Sequence, residues 1–98
     1  MVTKDKIISQ LKDNFDQISE FGVIKIGLFG SFSNNSANHN SDIDILVKFS
    51  PESISFNNYM DLKFFLEDLF HTKIDLVIED DLRNELKDSI LSSVIYAA

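Results

Sequence analysis

Ninety-eight residues are enough for one hydrophobic core and too few for a catalytic domain joined to a separate substrate domain, so a single domain over residues 1–98 is expected. With 9 Lys and Arg against 16 Asp and Glu the net charge is −7, which repels polyanions and leaves no basic face for stable nucleic-acid binding. The 44% hydrophobic content, with 9 Phe, 1 Pro and 3 Gly, is that of a packed globule, and the absence of Cys removes disulfides, thiolate nucleophiles and Cys-containing zinc sites. The N-terminal residues run straight into an amphipathic pattern, and no apolar run approaches the roughly 18 residues of a membrane span. A cytoplasmic protein without membrane contact is the expectation.

From Lys4 to Glu20 the residues Ile7, Ile8, Leu11, Phe15 and Ile18 recur at helical spacing, with Thr3 as cap and Gly22 as terminator. Val23 to Phe29 is rich in β-branched residues and reads as a buried strand that Gly30 ends. Ser31 to Ser41 is polar and reads as loop, with Phe32 packed beneath it. Asp42 to Phe49 restores period-two order, with Ile43, Ile45, Val47 and Phe49 on one side and Asp42, Asp44, Leu46 and Lys48 on the other. Pro51 closes that strand, and Ser53 or Ser55 caps a helix running to about Phe70. Lys73 to Ile78 is a short third strand, with Lys73, Asp75 and Val77 on one face. Asp80 or Asp81 caps a final helix in which Leu82, Leu86, Ile90 and Val94 repeat every four residues; Ile95 and Tyr96 end it or belong to an interface. The order is α-β-loop-β-α-β-α, which makes the class α/β or α+β with a small sheet of three or four strands flanked by helices.

Asp42 and Asp44 stand two apart on a strand, so both carboxylates leave one face about 7 Å apart. Two anions on an otherwise apolar strand repel each other, and a hard divalent cation such as Mg²⁺ relieves both. The bland alternative is a strand edge carrying solvated charge. Asp75 supplies a third carboxylate; if its strand pairs with the first, three acids converge and suit two metal ions, the arrangement that clamps an in-line displacement at phosphorus. Gly30 and Ser31 end a strand in a turn that lets backbone N–H groups and a hydroxyl approach a phosphate.

Gly30-Ser31, ten intervening residues, then Asp42-Ile43-Asp44 resembles the GS-x10-DxD signature of nucleotidyltransferases in the DNA polymerase β superfamily. Leu28-Phe29-Gly30-Ser31, Ser41 to Val47 and Lys73 to Val77 narrow the likeness to the minimal nucleotidyltransferases, short antitoxin-type proteins paired with HEPN-domain toxins. The resemblance covers nearly the whole chain. It implies a mixed sheet flanked by helices, two Mg²⁺ ions, ATP as substrate, and transfer of AMP to a hydroxyl, typically a tyrosine of the cognate toxin. By the same resemblance Gly30 and Ser31 hold the β- and γ-phosphates, Asp42 and Asp44 bridge the metals, and Asp75 completes one metal site beside the acceptor hydroxyl. Family loops commonly carry Ala-Arg-Gly shortly after the serine, where this chain has Ser33-Asn34-Asn35, so positive charge is left to Lys25 or Lys48 or to Mg²⁺ itself. The second reading is a non-catalytic subunit that neutralises its partner by stoichiometric contact, and a third is transfer to a small molecule, for which 98 residues leave little room. The sequence is compatible with an oligomer and does not fix its order.

Overall fold

The computed structural model describes residues 3–30, 32–33 and 42–98. The chain begins with α1 (Lys4–Asp13) and α2 (Phe15–Ser19), where one helix to Glu20 is expected. Thr3 caps α1 as its sequence suggests, its hydroxyl accepting from the Lys6 N–H at 3.3 Å. The break falls at Asn14, whose side-chain amide donates to the Gln10 carbonyl at 2.8 Å while its own N–H bonds the same carbonyl at 3.1 Å. An Asn side chain that competes for a helical carbonyl ends the helix, and a fresh turn starts beyond it. Ile7, Leu11 and Ile18 remain buried on one side across the break, which is why the apolar spacing reads as continuous.

Among the described residues four strands follow the helical start: β1 (Val23–Phe29), β2 (Ile43–Phe49), β3 (Ile74–Ile78) and β4 (Ile95–Tyr96). Between β2 and β3 a 3-10 turn at Pro51–Ser53 leads to α3 (Phe56–Phe70), capped by the Ser55 hydroxyl, which accepts from the Asn58 N–H at 3.1 Å. His71, at φ 53°, takes the left-handed position that ends this helix. The sheet order is β3-β2-β1-β4, with β1 antiparallel to β2 and to β4, and β2 parallel to β3. It is the mixed sheet flanked by helices that the resemblance implies.

One face of the sheet makes the core. Ile26 and Leu28 of β1, Ile43, Ile45, Val47 and Phe49 of β2 and Ile74 and Leu76 of β3 pack with Ile7 and Leu11 of α1 and Leu62, Leu66 and Phe70 of α3. Phe32 joins this core at 6% exposure, so it packs under the turn as expected. The period-two alternation then commits the remaining strand residues, the aspartates among them, to the opposite face.

The C-terminal segment departs from expectation. Glu79–Asp81 is a 3-10 turn, Leu82 and Arg83 are extended, and α4 (Asn84–Ser93) starts from Arg83 with no side-chain cap. None of the α4 residues is fully buried, and Leu86 is exposed. The fourfold repeat from Leu82 to Val94 is thus a helix only in its middle. Val94, Ile95 and Tyr96 are poor helix residues and good strand residues; Val94 ends α4, and an open sheet edge at β1 takes up Ile95 and Tyr96 as β4.

Candidate active site

The face opposite the core carries side chains in rows set by register. Phe29, Asp44 and Asp75 form one row across β1, β2 and β3. The next row on this face is Tyr96, Gly27, Leu46 and Val77, and the one after it pairs Lys25 with Lys48. Adjacent strands stand about 4.8 Å apart, so Asp44 and Asp75, in register on parallel strands, leave the same surface of the sheet as neighbours. Asp42 is exposed one residue ahead of β2, where alternation brings it to the same side. The pairing of β2 with β3 on which convergence of the acids depends is therefore present.

Gly30 fixes one wall of this row. Its φ is +75°, and a Cβ built on it would collide with the Asp44 carboxylate, lying 2.9 Å from Cγ and closer still to Oδ2. Only glycine satisfies both the backbone angle and the approach of that side chain. Ser33 then closes the turn, its N–H and its hydroxyl both donating to the Gly30 carbonyl, at 3.1 and 3.0 Å. Ser33 sits 8% exposed and was not a sequence candidate; the signal for it is a serine three residues after the glycine, the spacing of a side chain that bonds back into a turn. Ser31 and residues 34–41 lie outside the described residues.

Among the described residues no three His, Cys, Asp or Glu side chains close up into a ready-made cation cage. Mg²⁺ does not require one, since it is commonly held by one or two carboxylates together with substrate phosphates and water. The in-register Asp44 and Asp75, with Asp42 beside them, fit that kind of site in donor chemistry.

Charge at the far end of the same face is arranged differently. Lys48 Nζ lies 3.4 Å from Asp80 Oδ1 and 3.8 Å from Glu79 Oε2. The Tyr96 hydroxyl donates to Glu79 Oε1 at 2.7 Å, and Lys25 Nζ stands 4.5 Å from the centre of the Tyr96 ring. Gly27 makes room for this ring: a Cβ there would meet Tyr96 Cδ1 at 3.1 Å and Val94 Cγ2 at 2.8 Å. Burial, then the hydrogen bond and charge of Glu79, push the Tyr96 phenol up to about 12. Lys25 and Lys48 are thus engaged four residues, about 13 Å, from the Asp44 row and do not serve it. Tyr59 donates to the Leu76 carbonyl at 2.6 Å from the other side of β3, and its phenol is raised by burial and by the charge of Asp75.

Comparison with known proteins bears on the family and the fold. The Nucleotidyltransferase domain family matches residues 6–97. The protein adenylyltransferase MntA of Thermococcus cleftensis is 36% identical over 97 residues, covering 98% of this chain and 97% of its own. A solved structure assigned as a minimal nucleotidyltransferase superposes with a TM-score of 0.83 at 26% identity, covering 96% of this chain and 95% of that one. A toxin-antitoxin structure with AMP-PNP superposes with a TM-score of 0.71 at 26% identity, covering 99% of this chain and 73% of that one. The chain therefore belongs to the nucleotidyltransferase domain family, in its minimal MntA-like branch, and is a nucleotidyltransferase.

Proposed function

We propose that this chain is an antitoxin that transfers AMP from ATP, with Mg²⁺, to a hydroxyl of a HEPN-type toxin, a tyrosine being the expected acceptor, and that it works in the cytoplasm. The observation that carries this reading is the register of Asp44 with Asp75 against the glycine wall at Gly30. Support for the substrates comes from relatives: a protein adenylyltransferase at 36% identity, and a toxin-antitoxin structure that holds AMP-PNP. Among the described residues no helix is long and apolar enough to cross a membrane.

In this reading Gly30 and Ser31 hold the β- and γ-phosphates through turn N–H groups and the serine hydroxyl. Asp42, Asp44 and Asp75 hold the cations, which when bound neutralise the triphosphate and the charge that develops at the α-phosphorus. The acceptor oxygen attacks that phosphorus in line; the new O–P bond forms as the bond to the α–β bridging oxygen breaks, and pyrophosphate leaves. Asp75, on the strand at the sheet edge, is open to an incoming protein and takes the hydroxyl proton, passing it to water. The net charge of −7 favours a partner with a basic surface.

The test uses the whole chain with Mg²⁺, ATP labelled at the α-phosphate and a HEPN-domain toxin partner. Label should move to the toxin, map to a tyrosine, and be lost with Asp44→Ala in a folded variant. Equal labelling by Asp44→Ala rejects the site, and neutralisation of the toxin without any label rejects the enzyme reading in favour of stoichiometric contact.

A further inference from the structure

We infer that Lys73 is the cation this chain itself brings to the α-phosphate, in place of the basic loop residue it lacks; the inference rests on the function proposed above. The first observation is register. Ile43 N–H donates to the Lys73 carbonyl at 3.2 Å and Ile43 pairs with Ile74, so Lys73 falls beside Asp42, one step before the first paired residues of β2 and β3. Ile74 is fully buried on the core side, which turns Lys73, like Asp75 two residues on, to the acid-bearing face. The side chain is exposed, and among the described residues the ion pairs belong to Lys48, not to Lys73.

The second observation is where the other basic residues lie. Residues 31–41 contain no Lys or Arg. Lys25 and Lys48 are held at the far end of the face, and the lysines of α1 and α3 ride on helices that pack against the opposite one. Arg83 and Lys87 belong to the start of α4, which leaves from the Ile78 end of β3, away from the acids. Lys73 is what remains at the acid end.

Its position also selects which phosphate it reaches. The Gly30 turn follows β1 and Lys73 immediately precedes β3, with β2 between them, a separation of about 10 Å across the strands. A triphosphate whose tail sits in the Gly30 turn and runs across β2 brings its α-phosphorus toward β3, within reach of a lysine side chain. A fixed ammonium there opposes the negative charge that grows on the α-phosphate oxygens as the acceptor attacks, where electrostatic stabilisation has most effect on rate.

The experiment compares the parent with Lys73→Met and Lys73→Arg in two measurements: calorimetric binding of the unreactive analogue α,β-methylene-ATP with Mg²⁺, and the rate of label transfer. Lys73→Met should weaken analogue binding about fivefold to tenfold and slow transfer about 100-fold, while Lys73→Arg retains most of both. Parent-like binding and transfer in Lys73→Met would overturn the inference, as would equal damage by Lys73→Arg accompanied by a lowered melting temperature, the mark of a structural role. A parent that transfers no label rejects the proposed reaction instead, and the binding measurement still decides the place of Lys73.

Discussion

Like charges meet in register at both ends of the acid-bearing sheet face: Lys25 faces Lys48 across β1 and β2, and Asp44 faces Asp75 across β2 and β3. At the lysine end the chain supplies its own relief. Glu79 and Asp80 approach Lys48, the Tyr96 ring receives Lys25, and the tyrosine hydroxyl ties Glu79 to the C-terminal strand. At the aspartate end the turn after β1 is shaped to admit a carboxylate, and the face is exposed at Asp42 and Asp75. The lysine pair is met by acids and a ring that tie strands together, whereas the aspartate pair lies beside a glycine turn on a face that Asp42 and Asp75 open to solvent, an arrangement suited to cations and phosphate.

The largest effect belongs to Asp44→Asn, which removes a charge while nearly keeping shape. Transfer should fall roughly a thousandfold, the upper range for losing one electrostatic group at a reacting centre. In chelator, a double-mutant cycle of Asp44→Asn with Asp75→Asn should give a repulsive coupling of about 0.2–1 kcal/mol, because directly opposed like charges on neighbouring strands destabilise by that order. Denaturant midpoints with and without chelator check it. A coupling of zero in chelator breaks the idea that Asp44 and Asp75 oppose each other in the absence of metal.

Two glycines sharpen the contrast. Gly30→Ala forces a side chain into a left-handed backbone and into the Asp44 carboxylate, so it should cost about 1–3 kcal/mol and reduce transfer at least tenfold. Gly27→Ala crowds Val94 and Tyr96 instead, and should loosen β4 at a similar cost while transfer per folded molecule stays within about twofold. Unfolding curves with active-site titration separate the two. Equal loss of transfer in both would show that the two ends are coupled.

Much of this layout is legible in the sequence, and the misses have physical reasons. The bounds of β1 and the placement of Asp75 opposite the core follow from alternation, which is local, and capping narrows the start of α3 to Ser53 or Ser55, of which Ser55 is the cap. The break at Asn14 turns on whether a side-chain amide bonds back to Gln10, which spacing does not reveal. Short β4 exists because β1 offers an open edge, a tertiary fact that overrides the repeat running through Val94. Of the site, the Gly30-Ser31 and Asp42-Ile43-Asp44 spacing identifies the residue types, but the register that aligns Asp44 with Asp75, and the engagement of Lys25 and Lys48 elsewhere, appear only once strands pair.

Tyr96→Phe tests the lysine end. It deletes the hydroxyl that donates to Glu79 at 2.7 Å and should cost about 1–2 kcal/mol, with a charged acceptor left short of a partner. The pH dependence has a definite sign. The phenol is raised from 10.0 to about 12 in the folded chain, so its contribution is complete below pH 10, falls as the unfolded state loses its proton between about 10 and 12, and is gone above that window. Stability of the parent should therefore decline across this range more steeply than that of Tyr96→Phe. Parallel curves would show that the bond to Glu79 does not hold the proton.

The smallest effect is expected from Lys48→Met. The Lys48 side chain is 36% exposed and its contacts, at 3.4 and 3.8 Å, are those of a surface ion pair, so loss of charge with the stem retained should change stability by less than about 1 kcal/mol and by less still in high salt. The sequence leaves Lys48 eligible to support phosphate; the structure assigns it to Glu79 and Asp80, four residues from Asp44 along β2. Transfer and analogue binding should therefore match the parent. A tenfold drop in either, with the melting temperature unchanged, would mean that the field of Lys48 reaches the triphosphate across about 13 Å, further than the roughly 8 Å over which salt at physiological strength screens exposed charge.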